Sequence, residues 1–250
     1  MRQFAMVGAA LLTVVAGGAV AADLPAKIYT KAPPLPSVYD WSGFYIGLNA
    51  GGASSHKCWS IFSNNGLPVA PTAEGCHNAT GALAGGQFGY RWQFTNWVLG
   101  LEAQADWAGL KGSNANQAAL TPATNETRVD AIGAFTGQIG YAWNNVLWYV
   151  KGGAAVTNDR YSTFFTATNA VYNEARDVRW GGVVGTGLEF GFAPNWSVAL
   201  EYDHLFMGNR TANFTTPGGL FFTNERIRQD VDLVTVRVNY RWGGPVIAKY

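Results

Sequence analysis

The chain has 250 residues, with 17 basic and 16 acidic side chains; only 13% of its residues are charged, while 10 Trp, 11 Tyr and 14 Phe make it strongly aromatic. So neutral a balance gives no reason to expect nucleic acid or another polyanion as partner. So little charge does not suit the surface of an ordinary soluble domain.

In chain order, Arg2 is followed by an apolar run from Ala5 to Ala16 and then by Ala19-Val20-Ala21. Positive charge, apolar stretch and small-residue site form the order of a secretory signal peptide, here residues 1–22 with cleavage before Ala22 or Asp23. A membrane anchor is the alternative, but the run is rich in Gly and Ala and lacks a charged stop-transfer flank. The remaining chain contains no apolar stretch of 18 residues, so no ordinary spanning helix is expected. Residues 23–40 are proline-rich and aperiodic, which predicts an extended periplasmic segment outside any sheet.

From residue 41 onward apolar and polar residues alternate with the period of a strand. Eight segments carry the pattern: Phe44 to Gly52, Ala84 to Phe94, Trp97 to Trp107, Val129 to Trp143, Val146 to Val156, Trp180 to Phe192, Trp196 to His204 and Leu233 to Trp242. Thr95-Asn96, Asn144-Asn145 and Ala193-Pro194-Asn195 are short, turn-forming connections. The others, roughly 53–83, 108–128, 157–179 and 205–232, read as long surface loops. Tight turns at one end and long connections at the other are the plan of an outer-membrane barrel. The predicted fold is therefore all-β, an eight-stranded antiparallel up-and-down transmembrane β-barrel over residues 41–242, with a tail over 243–250.

The two faces of each segment assign the solvents. Leu99, Leu101, Ala103, Ala105 and Trp107 lie opposite Glu102, Gln104 and Asp106; Val234, Val236, Val238, Tyr240 and Trp242 lie opposite Arg237, Asn239 and Arg241. The apolar face should meet hydrocarbon and the polar face an enclosed lumen, where Gly makes room for long side chains crossing from the opposite wall. Trp41, Trp92, Trp97, Trp143, Trp148, Trp196 and Trp242 fall beside chain ends or tight turns and are expected to form an interface girdle, with Trp107 and Trp180 in the opposite one.

The stretches "AADLP", "WSGFYIGLNAGGA", "FAPNWSVALEYDHL" and "VRVNYRWGGPVIAKY" resemble the small eight-stranded outer-membrane proteins of alphaproteobacteria, often labelled porin-family or outer-membrane immunogenic proteins. The likeness spans the chain after the signal, apart from the long loops. It implies a surface protein of the Gram-negative outer membrane with periplasmic termini. Some relatives are described as haem binders or as porins, but no residue motif for either transfers here. The family's last-strand aromatic corresponds to Trp242, with Tyr250 as a second candidate for recognition by the barrel-assembly machinery.

Eight strands enclose a space that side chains just fill. Arg91, Glu102, Asp106, Lys151, Glu189, Glu201, Asp203, Arg237 and Arg241 are expected to form a lumen network, either a fixed plug or a gate opened by partner exchange. Cys58 and Cys76 are expected to form a disulfide in an oxidising compartment. CxxC spacing is missing, so zinc held with His56 and His77 is the lesser alternative. His204 beside Asp203 is the one candidate for interfacial acid–base chemistry; no Ser follows within the next few residues, and no enzyme is expected. His56, His77, Tyr161, Tyr172 and His204 could ligate haem iron, without diagnostic spacing. No cofactor is predicted. The expected role is structural, an envelope protein displaying surface loops, with a narrow porin-like channel or a ligand receptor as alternatives. The partners expected are outer-membrane lipid, the assembly machinery and periplasmic envelope components.

Overall fold

The computed structural model describes residues 39–64 and 67–242. The signal peptide at 1–22, nearly all of the proline-rich segment and the 243–250 tail with Tyr250 lie outside the described residues.

Eight strands follow one another: β1 Gly43–Asn64, β2 Leu67–Phe94, β3 Trp97–Ala115, β4 Ala123–Trp143, β5 Val146–Phe165, β6 Val171–Ala193, β7 Trp196–Thr215 and β8 Phe221–Arg241. Each pairs antiparallel with the next, and β8 returns to β1 with Arg241 opposite Tyr45, so the sheet closes into a barrel. Closure is what hydrocarbon requires, because lipid offers no partner to the N–H and C=O groups of an open edge.

The side-chain alternation follows the pleat. Leu99, Leu101, Val234, Val236, Leu200 and Phe88 are exposed on the outside, whereas Glu102, Asp106, Arg237 and Glu201 are buried inside. Trp92, Trp97, Trp143, Trp148, Trp196 and Trp242 are all exposed on the outer face near the tight turns. Neighbouring aromatics pack edge-on there, as Trp97 does with Tyr141 and Trp196 with Tyr240. Trp107 and Trp180 project outward further along the strands.

Trp41 departs from the expected girdle. It is 1% exposed and packs inside the barrel with Val98, Ala142, Leu147 and Tyr149, its indole N–H donating to the Asn144 carbonyl at 3.3 Å. The reason was present in the parity: Trp41 is in step with Tyr45 and Asn49, which face inward, and not with Phe44.

The strands run 19–28 residues, about twice what a bilayer crossing needs. The four stretches read as long loops are therefore corrected: most of each is a continuing hairpin. Ala53 pairs with Gly81 and Cys58 with Cys76 across β1 and β2, and the actual connections include only 116–122, 166–170 and 216–220. In these outer halves the outward face carries polar and charged residues and the inward face mixes large polar with aromatic ones, so the apolar contrast that marks a spanning strand disappears while the backbone ladder continues.

Two glycines show how the wall admits bulky side chains. Gly89 is opposite Tyr45, and Gly187 opposite Tyr149; a Cβ at either would lie 2.6 Å or less from the phenol ring's oxygen. The space thus serves a tyrosine on the adjacent strand, not one crossing from the far wall.

Candidate functional site

The lumen holds four layers. All nine charged residues expected there are at most 6% exposed. At the tight-turn end, Arg241 donates to the Ser42 and Pro194 carbonyls at 2.9 and 3.1 Å and lies over the Tyr39 ring. Next comes Arg91, whose guanidinium meets Glu189 at 2.8 Å and stacks 4.3 Å from the centre of the Tyr45 ring. Glu189 also accepts from Asn239 at 2.9 Å and from the Ser197 hydroxyl.

The densest part is a shared ion cluster. Lys151 Nζ is 2.6 Å from Glu201, 3.2 Å from Asp203 and 3.4 Å from Glu102. Arg237 meets Glu102 at 2.8 Å and also binds Glu201. The Tyr45 and Tyr149 hydroxyls, seated over their glycines, donate to Glu102 and Glu201 at 2.6 and 2.5 Å. Asp106 stands aside from this cluster and accepts from Gln104 at 2.8 Å. Charges taken out of water in this way hold only when paired and hydrogen-bonded on several sides, and each of the two central glutamates has three partners.

Beyond the cluster the lumen is apolar. Leu83, Leu110, Val129, Ile132, Leu205, Met207, Val231 and Leu233 form one buried cluster with Ala53, Ala79, Ala155 and Val183, drawn from all eight strands. Sequence reasoning missed it, although Leu233 and Leu205 were visible as apolar residues at inward parity.

A second polar layer follows, also unforeseen because it lies in stretches read as loops. Lys57 meets Asp159 at 2.6 Å, both fully buried, and Asp159 accepts from Thr157 at 2.7 Å. Burial pulls the Lys57 ammonium down to about 8, against the opposing pull of Asp159. Arg179 donates to Gln229 at 3.0 Å and to the Ile227 carbonyl at 2.8 Å. Trp59, Tyr161 and Phe214 pack around this layer. At the mouth, Glu74 and Glu225 line a cavity of about 380 Å³. Burial, with the neighbouring Glu74 carboxyl second, raises Glu225 well above the ordinary carboxylate range; burial raises Glu74 too.

The other candidates are dispersed. His77 is inside, bonded to Asn114 at 2.7 Å and Thr127 at 3.0 Å, and burial lowers its pKa. His56 is outside, 2.7 Å from Asn78. Tyr161 is fully buried, Tyr172 packs against Phe165 and Phe222, and His204 lies on the outer face 2.7 Å from Asp232. No common iron position emerges among these five. Cys58 and Cys76 are joined as a disulfide, so the two sulfurs near His56 offer no thiolate to a metal.

A closed antiparallel barrel with a hydrocarbon-facing outside, aromatic girdles and a filled interior defines an integral outer-membrane protein. The chain belongs to the outer membrane protein beta-barrel domain family, whose profile matches residues 7–243. It is 27% identical to the 31 kDa outer-membrane immunogenic protein of Brucella melitensis over 94% of this chain and 98% of that one. An uncharacterized protein of Coxiella burnetii is 29% identical over 72% of this chain and 74% of its own length. Among solved structures, the outer membrane protein OprG of Pseudomonas aeruginosa superposes with a TM-score of 0.51 at 13% identity, covering 80% of this chain and 97% of that one.

Proposed function

We propose that this outer-membrane barrel is a closed, non-conducting envelope protein whose tight turns face the periplasm and whose long hairpins stand outside the cell. The observation that carries the reading is the apolar layer of Ile132, Leu205, Val231, Leu233 and their neighbours across the lumen. An ion crossing it would shed its hydration with no polar group in return, a cost of many kcal/mol. The ion cluster below and the Trp41 cap add two further obstructions. The hairpins, extended by β-ladders and tied by the Cys58–Cys76 bond, are rigid display surfaces; the Brucella relative's description as immunogenic accords with outside exposure.

A second reading, a narrow gated path for small solutes, draws on Lys151, which sits among three carboxylates and could exchange partners. It requires the apolar layer to open as well. Catalysis is disfavoured: the imidazole of His204 meets Asp232, that same carboxylate accepts from the Tyr202 hydroxyl, and no hydroxyl among the described residues is hydrogen-bonded to the ring. Outer-membrane lipid and, through the final strand, the assembly machinery are the partners this placement implies. Reconstitution into planar bilayers tests the proposal. Steady single-channel conductance of the unmodified protein would overturn it, and a silent bilayer with demonstrably inserted protein supports it.

A further inference from the structure

The outward-facing side chains above the girdle of Trp107 and Trp180 are arranged by charge. Lys111 on β3 is directly opposite Arg128 on β4, Arg128 is opposite Arg160 on β5, and Arg160 is opposite Arg176 on β6. All four side chains are on the outer face, the two central arginines about two-fifths exposed. Directly opposed residues stand about 5 Å apart at Cβ, and like charges in that relation repel. Glu126 offsets Arg128 at 2.6 Å and Asp130 offsets Arg160 at 3.4 Å. Lys111 and Arg176, at the two ends of the row, have no carboxylate within ion-pair distance among the described residues. The row holds four cations against three outward carboxylates beside it, Glu126, Asp130 and Glu174, so it keeps a net positive charge that an external anion can complete.

The level of the row identifies the anion's source. Lys111 is four residues beyond Trp107, and Arg176 is four residues from Trp180 on its strand. Four residues span about 13 Å along a strand, or about 9 Å along the membrane normal at a tilt of about 45°. A girdle Trp marks the edge of the hydrocarbon, so the row lies at headgroup height. Immediately below it, on the same four strands, the register aligns Trp107, Ala131, Asn158 and Val178. Trp107, Val178 and the small residues Ala105 and Gly133 line a mostly apolar groove of about 350 Å³ there. Cations above and an apolar groove below are the two halves of an amphiphile's complement.

We infer that this face of the barrel, β3 to β6, binds a phosphorylated lipid of the outer leaflet, its phosphate groups on the Lys111–Arg128–Arg160–Arg176 row and an acyl chain in the groove. Arginine presents paired N–H donors that match phosphate oxygens, and the row is long enough to engage two phosphates at once. The leaflet assignment rests on the orientation proposed above; the binding chemistry does not.

The test uses the full folded chain in zwitterionic micelles, titrated with bis-phosphorylated lipid A, its monophosphoryl form, phosphatidylcholine and inorganic phosphate. Lipid A is expected to bind at least tenfold more tightly than phosphatidylcholine, with the monophosphoryl form between them. K111Q/R176Q should weaken lipid A binding about tenfold. E126Q/D130Q, which frees the central arginines, should strengthen it severalfold. R226Q/R228Q, on β8, should leave it unchanged, and circular dichroism confirms that each variant keeps its β-sheet. Equal affinity for lipid A and phosphatidylcholine, or insensitivity to K111Q/R176Q, would overturn the inference. Full displacement of lipid A by millimolar inorganic phosphate would overturn the lipid assignment in favour of a free-anion site. Labelling of Leu120→Cys, fully exposed in the connection between β3 and β4, by an impermeant maleimide on intact cells tests the orientation separately: labelling only after lysis, with lipid binding intact, sinks the orientation and keeps the site.

Discussion

Thr95 carries a φ of 57° in the two-residue turn between β2 and β3, a left-handed conformation that a β-branched residue adopts only under strain. Asn144, in the equivalent turn between β4 and β5, has nearly the same φ and is a residue type that tolerates it. Replacing Thr95 with Asn should therefore stabilise the barrel by about 1 kcal/mol, read as a higher urea midpoint in micelles. The opposite sign is expected at Gly187. Alanine there would push the Tyr149 ring away from its hydrogen bond to Glu201, costing about 1–3 kcal/mol, and the same unfolding measurement detects it. Alternation and charge were enough to place all nine lumen side chains inside, but not to say which carboxylate each cation meets. Pairing depends on which residues of non-adjacent strands share a height, and that follows from the stagger of the closed sheet.

At the scale of an element, the upper hairpins divide from the membrane-spanning halves of the same strands. Their mouth holds Glu74 and Glu225, whose pKa values are raised by burial, and for Glu225 by the Glu74 carboxyl as well. A raised carboxyl pKa in the folded state means that folding favours the neutral form. The stabilisation is complete below the unfolded carboxylate range and is lost as pH rises through the raised value. Amide hydrogen exchange around Asn173 and Thr223 should accordingly speed up, beyond its intrinsic pH dependence, as pH rises above the ordinary carboxylate range. Glu225→Gln should remove that excess, and an unchanged profile would contradict the account. These halves were read as loops because Ser, Asn, Thr and Gly carry no apolar alternation. Yet Lys57, Trp59, Asp159, Tyr161 and Arg179 keep inward parity throughout. A period-2 reading of burial-prone large side chains, in place of apolar ones, would have found them.

For the whole molecule, the ion cluster and the apolar layer lie in series along the lumen, and the closed reading proposed above predicts a different response from each. Arg237→Ala leaves Glu102 and Glu201 short of a partner and should cost about 3–5 kcal/mol without producing conductance, because the apolar layer is intact. Replacing Ile132 and Leu233 together with Ser should instead wet that layer and yield brief openings in planar bilayers. If Arg237→Ala alone conducts, the ion cluster is the gate and the apolar layer is not the seal. Charge too is organised only at this scale. A chain neutral in composition carries Lys57, Lys151, Arg91 and Arg237 inside against carboxylates, while Lys111, Arg128, Arg160 and Arg176 face outward in a row.

The amino-acid order alone determined the strand count, the lipid-facing side and the closure of the sheet, because hydrocarbon imposes a strict period and forbids a free edge. The length of the hairpins, the burial of Trp41, the apolar layer across the lumen and the outer cationic row were decided by tertiary structure. Each depends on which residues of different strands come to the same height, and cross-strand register leaves no mark in a single segment's pattern.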